Sequence, residues 1–113
     1  MRTESHATVV ASATITLHGD IDRAAEGDVT TAYDEAKVGA NGQLTLDFGD
    51  VSYINSTGIA VIVGLLAKAR KDGLTIEAYG LSDHYRHVFE ITRLADFMTI
   101  HTDGIADAAG GGR

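Results

Sequence analysis

The hydrophobic pattern changes period several times along the chain. Thr14-Ile15-Thr16-Leu17 alternates polar with apolar, the mark of a strand with one buried face, and this strand is expected to stop at Gly19. A shorter strand around Val9 and Val10 pairs with it through a tight turn at Ala11-Ser12. From Arg23 the period lengthens. Ala25, Val29, Ala32 or Tyr33, and Ala36 fall at helical spacing, with Asp22 placed to cap the amino end. Gly39 to Gly42 form a loop, and Leu44, Leu46 and Phe48 then alternate as a second long strand. GDVSYIN reads as a connector whose Val51 and Ile54 drop into the core.

A helix over residues 57–71 follows, with Lys68, Arg70 and Lys71 in its last turns and Asp72-Gly73 as its stop. LTIEAYG is a short strand over 74–80. Residues 81–94 read as a helix capped by Ser82, and Met98 to Ile100 as a last strand. The order β-β-α-β-α-β-α-β predicts a single α/β domain. Its sheet of four to five strands is mixed but mostly parallel after an opening hairpin, with three or more helices packed on one face or both. The domain is expected to occupy residues 1–103, and AAGGGR, with little side chain to pack, to end a flexible Gly-rich tail over 104–113.

Charge and composition narrow the function. Sixteen Asp and Glu against nine Lys and Arg give a net charge of −7, a poor match for nucleic acid and a better one for a basic partner surface. The longest apolar stretch, Ile59 to Ala67, is about half a membrane span, and Ser and Thr interrupt every apolar run near the start. No membrane association is expected. Absence of cysteine removes disulfides and thiolate metal sites and fits a cytoplasmic setting.

Neither GxxxxGK[ST] nor GxGxxG occurs, so no phosphate-cradling loop is indicated and no cofactor is expected. Of five histidines only His84 and His87 share a helix, at i, i+3 and without HExxH, which reads as a solvated face rather than a metal site. Ser56 sits at a strand-to-helix turn, but outside any GxSxG. The last strand lacks the following Lys of a receiver domain, and no ionisable pair is placed for acid–base work. An enzyme is not expected.

Asn55-Ser56-Thr57-Gly58 remains, two hydroxyls at the mouth of the most apolar helix. Ser56 is expected to be its N-cap, worth about 1 kcal/mol. A phosphate there would add a charge of about −1.5 to −2, which the helix dipole favours by roughly 0.3–1 kcal/mol. Behind it, Ile59, Ile62 or Val63, and Leu66 form the stripe that packs on the sheet. Val61 and Leu65 point elsewhere, either under the neighbouring helix or into a docking patch.

Residues 44–73, LTLDFGDVSYINSTGIAVIVGLLAKARKDG, resemble the STAS domains, the anti-sigma factor antagonists of bacteria and their relatives. The family pattern is an apolar strand, then D-x-S-x-x-D-S-[ST]-G-[LI]-[GA], then an apolar helix. LHGDID at 17–22 and HVFEITRLADFMTIH at 87–101 resemble its flanking motifs, so the likeness covers about residues 7–102 in order. It implies a protein–protein switch in transcription regulation. In such proteins a partner serine kinase, which doubles as the anti-sigma factor, phosphorylates the serine; the unphosphorylated form binds that kinase and frees the sigma factor, and a phosphatase resets the cycle.

Ser56 matches the acceptor, and Thr57, the following hydroxyl, is the alternative acceptor. Asp22 matches an acid near the acceptor, and Gly58 would let a partner approach the backbone. The residues expected to meet a partner are therefore Asp22, Asn55, Thr57, Gly58, Val61 and Leu65. One departure stands out: the family's usual Asp before the acceptor is Asn55 here. That change opens an alternative, a non-phosphorylated STAS scaffold or a self-associating subunit of a signalling assembly, for instance a homodimer. A third reading, a small-ligand or lipid-sensing module, has no basic or aromatic pocket signal behind it.

Overall fold

The computed structural model describes residues 6–102; the Gly-rich tail expected at 104–113 lies outside them. β1 (Ala7–Ala11) and β2 (Thr14–Ile21) form the opening hairpin. Its turn is Ser12-Ala13, one residue later than expected, with Ala13 at φ 55. α1 (Glu26–Ala36), β3 (Gln43–Ile54), α2 (Ser56–Lys71), β4 (Thr75–Tyr79), α3 (Asp83–Ile91) and β5 (Thr99–Ile100) follow. The strands lie in sequence order, β1 antiparallel to β2 and every later neighbour parallel.

Two boundaries differ from the pattern for one reason. β2 does not stop at Gly19, and the segment after Phe48 is not a connector. It is the second half of β3, paired with β2 from His18–Asp50 to Ile21–Ile54. Register shifts between Thr16 and His18 and between Gly19 and Asp20 insert extra residues on one strand. Such irregularities turn side chains off the strict two-residue period, so the strand continues while its hydrophobic signature is lost.

Sequential strands joined by right-handed crossovers carry all three helices to one face. On that face Ile15, Leu17, Leu44, Leu46, Phe48, Ile76 and Ala78 are buried. They form one cluster with Val29, Tyr33, Ile62, Leu65, Leu66 and Phe89 of the helices. The opposite face holds Thr16, His18, Thr45, Asp47, Glu77 and Tyr79, all only partly buried. Parallel sheets usually hide both faces. Here the alternation of Thr with Ile and Leu gives the open face its own polar contacts. His18 meets Asp50 at 2.6 Å, and His101 meets Glu77 at 2.6 Å while stacking on Tyr79.

A polar clasp joins the far ends of α1 and α2. The Tyr33 hydroxyl, on a side chain otherwise in the core, donates to Asp72 Oδ2 at 2.6 Å, and Lys37 reaches the same oxygen at 3.5 Å. The Tyr33 bond, helped by the Lys37 charge, holds the Asp72 carboxyl below the usual carboxylate range; burial and the bond to Asp72 push the Tyr33 phenol up. Asp28 of α1 is lowered by the backbone N–H of His6, then by the His6 ring.

Depressed folded-state carboxyls contribute stability that is present above their unfolded pKa, about 4, and lost as pH falls through the folded value. The melting temperature, followed by calorimetry, is therefore expected to hold from pH 7 to about 5 and to fall more steeply below about pH 4. Asp28→Asn and Asp72→Asn, which keep an acceptor oxygen, should each flatten that acid limb.

Candidate functional site

The site is made where two strands end together. Ile21 and Ile54 are the last paired residues of β2 and β3, and the Asn55 N–H still reaches the Ile21 carbonyl at 3.3 Å. Asp22 and Asn55 therefore leave the sheet as neighbours at the carboxyl ends of parallel strands, where open α/β sheets place their ligands. Each turns the chain into a helix. Asp22 Oδ1 accepts from the Ala24 N–H at 2.9 Å and caps a short 3-10 turn, Arg23–Ala25, that leads into α1.

Asn55 is the cap of α2, and Ser56 is its first helical residue, a correction to the assignment of Ser56 as the N-cap. Asn55 has the extended backbone of a cap, and its carbonyl accepts the first helical bond, from Ile59 N–H, at 2.9 Å. Its Oδ1 accepts from both the Gly58 N–H and the Thr57 hydroxyl, each at 2.8 Å. The short amide side chain suits this position better than Ser56 because it begins one residue earlier, where the chain is still extended.

The two hydroxyls are therefore not equivalent. Thr57 is held by Asn55. Ser56 is exposed, and its hydroxyl makes no hydrogen bond to any described residue. Its position is also electropositive by construction: first-turn amides of a helix have no intrahelical acceptor, and the first turn of α2 holds no acidic residue.

Gly58 meets the backbone of its own chain. It is buried, and a Cβ there would overlap the Ile21 carbonyl oxygen and lie 2.7 Å from the carbonyl carbon. Glycine is needed so that α2 can press against the end of β2. Leu65 is only 3% exposed, which removes it from any docking patch. It packs with part-buried Val61 and with Val29 along the cleft between α1 and α2. Val61, Asp22 and Asn55 keep partial exposure, and Thr57 is exposed.

Tyr85 was not visible as part of the site. Its hydroxyl accepts from the Ile54 N–H at 2.9 Å and so ties α3 to the strand end just before Asn55. Nothing in the local pattern marks it, since the two residues are 31 apart. Among the described residues, no group of three or more His, Asp or Glu side chains could hold a metal ion, and no helix is long and apolar enough to cross a membrane.

The family model described as "Mlab, STAS domain" matches residues 5–100. The chain is a STAS domain. It is 35% identical over 86 residues to the anti-sigma-B factor antagonist of Listeria monocytogenes, covering 76% of this chain and 75% of that one. It is 39% identical over 51 residues to the protein of the same name from Bacillus subtilis, covering 45% and 47%. The fold matches that of the anti-sigma factor antagonist SpoIIAA in its unphosphorylated form, with a TM-score of 0.66, 18% identity and coverage of 93% and 94%. SpoIIAA in its phosphorylated form gives 0.61 at 22% identity, covering 93% and 96%.

Within this STAS domain two glycines of α2 make opposite predictions. Gly58→Ala forces backbone against backbone and should cost about 3 kcal/mol or more in urea unfolding. A Cβ on Gly64 meets nothing within 4 Å, so Gly64→Ala should stabilise by up to about 1 kcal/mol. Asn55→Ala removes the cap and should cost about 1 kcal/mol, whereas Asn55→Asp should keep it.

Proposed function

We propose that this STAS domain is an anti-sigma factor antagonist: it binds a partner serine kinase that is also the anti-sigma factor, and phosphorylation of Ser56 releases it. The observation behind this reading is the asymmetry of the two hydroxyls. Ser56 offers a free, exposed oxygen at the amino end of α2, while Thr57 is committed to Asn55. The relatives named anti-sigma-B factor antagonists and the likeness to SpoIIAA support the same class of activity.

In the transfer, Ser56 Oγ forms a bond to the γ-phosphorus of ATP held by the kinase, and the bond to the ADP leaving oxygen breaks. Asn55 is neutral and cannot take the hydroxyl proton, so that proton passes to a base on the kinase. The product places the phosphate on the unpaired first-turn amides of α2 without disturbing the Asn55 cap. It thus alters the charge presented to the partner while the fold stays as it is. A phosphatase acting on the same oxygen restores the binding form. These roles belong in the bacterial cytoplasm, beside the transcription machinery.

Asn55 favours a second reading. If transfer needs a carboxylate on this side of the interface, the domain is a non-phosphorylated scaffold or a self-associating subunit, and binding is not gated at Ser56.

Incubation with its cognate serine kinase and ATP, followed by mass spectrometry, separates the two. One phosphate is expected on Ser56, none on Ser56→Ala, and unchanged labelling of Thr57→Val. Asn55→Asp should be labelled faster. An unlabelled parent chain whose Ser56→Asp variant still binds the kinase would leave the scaffold reading standing.

A further inference from the structure

The chain holds two asparagines, and each precedes a small residue: Asn41 before Gly42, and Asn55 before Ser56. An asparagine loses its side-chain nitrogen without an enzyme when the backbone nitrogen of the next residue reaches its side-chain carbonyl carbon. Two conditions govern that attack. The amide side chain must be able to swing back over the following peptide, and the attacking nitrogen must be neither crowded by a Cβ nor held in a hydrogen bond. The fold treats the two asparagines oppositely on both counts.

Asn41 and Gly42 form the bend that leads into β3, and both are exposed. Neither the Asn41 side chain nor the Gly42 N–H makes a hydrogen bond to any described residue. The Gly42 carbonyl accepts from the Thr75 N–H at 2.9 Å, so the pairing of β3 with β4 uses the oxygen of Gly42 and not its nitrogen. Gly42 sits at φ 88, a conformation that glycine favours, and an added Cβ would meet nothing within 4 Å. The space beside the nitrogen is open. Asn55 is bound instead. Its Oδ1 holds the Gly58 N–H and the Thr57 hydroxyl, each at 2.8 Å, and swinging back onto the Ser56 nitrogen would break both bonds and uncap α2.

We propose that Asn41 is a site of spontaneous deamidation in the folded protein, and that the cap of α2 protects Asn55 from the same chemistry. The Gly42 nitrogen bonds to Asn41 Cγ, the bond from Cγ to the side-chain nitrogen breaks, and that nitrogen leaves as ammonia with the Gly42 proton. Water then opens the cyclic imide at either carbonyl. One product is aspartate at 41; the other is isoaspartate, in which the main chain runs through Cβ and Cγ. Both add a negative charge to a chain already at −7. The isoaspartyl form also lengthens the main chain by one atom just before the bond from Thr75 to Gly42 that opens the pairing of β3 with β4. The whole length of β3 separates this bend from Asn55. The modification therefore leaves the cap and Ser56 as they are, and position 55 keeps its amide.

The test incubates the whole chain in mildly alkaline buffer, beside a sample unfolded in guanidinium chloride, and follows each asparagine by peptide mass spectrometry. The amide-to-acid mass shift is expected on the peptide carrying Asn41, part of it as isoaspartate that an isoaspartyl methyltransferase labels from S-adenosylmethionine. In the folded sample it should accumulate at close to the unfolded rate. It should also quicken with rising hydroxide, because the attacking amide must lose its proton. Asn55 should keep its mass while the chain is folded and begin to shift only when it is unfolded. Asn41→Gln, at an exposed position, should abolish the shift with the melting temperature near that of the parent. An Asn41 that keeps its amide in the folded chain, a shift at Asn55 in the folded chain, or a shift on the first peptide that survives Asn41→Gln would each overturn the proposal.

Discussion

The seating of Gly58 on the Ile21 carbonyl is the constraint on which the rest of the site depends. The two backbones meet so closely that no other residue fits without displacing one of them. This fixes the amino end of α2 against the end of β2, and three things follow. Asn55 is left at the strand end with its side chain over the first turn. Thr57 is drawn to the same oxygen. Ser56, two residues before the contact, is turned outward. An exposed hydroxyl is thus held by a contact wholly inside the protein, and the exposed residue owes its position to a buried neighbour two residues on.

The one-sided sheet serves the same end. With strands in sequence order, all helices share a face and all strand-to-helix turns of the parallel strands share one edge. Asp22, Asn55 and Ser82, the caps that start the three helical segments, therefore fall at the same end of the sheet. Tyr85, in the first turn after Ser82, reaches Ile54 and locks α3 to the strand that delivers Asn55. The clasp of Tyr33 on Asp72 holds α1 and α2 together at the opposite end. The site is supported from both sides while remaining at the surface.

Most of this fold was legible in the sequence because its strands alternate and its helices carry caps. Thr14 to Leu17, Leu44 to Phe48, and Ser82 before α3 each behave as their spacing implies. The failures have physical causes. β3 ran on past Phe48 because register shifts destroyed the period that marks a strand. The cap of α2 was misplaced by one residue because Asn55 and Ser56 both cap well, and only the strand end at Ile54 decides which is still extended. The need for glycine at 58 against the Ile21 carbonyl carries no sequence signal, since a sequence does not say which backbone a glycine faces. Leu65 was open between core and surface, and Val29 of α1 settled it. Phe97 is not grouped with Val63 and Arg70 by the pattern, because the 3-10 turn that brings Phe97 to α2 carries no periodic signal.

Asn55 separates two effects that an Asp would join. A carboxylate here would cap α2 equally well, and it would also stand on the residue next to any phosphate on Ser56, at the strand end beside Asp22. Like charges at about 4 Å repel by roughly 1 kcal/mol each in water, and more where solvent is excluded. The amide keeps the hydrogen bonds to Thr57 and Gly58 and removes that repulsion, so a phosphate on Ser56 meets the helix amides opposed by one fewer anion. Any help a carboxylate gives to the departing hydroxyl proton is lost with it. Under the phosphorylation proposed for Ser56, the amide therefore acts in opposite senses on the rate of transfer and on the stability of the product. If Ser56 is the acceptor proposed for it, Asn55 makes the phosphate slower to arrive and, once made, less opposed at the mouth of α2.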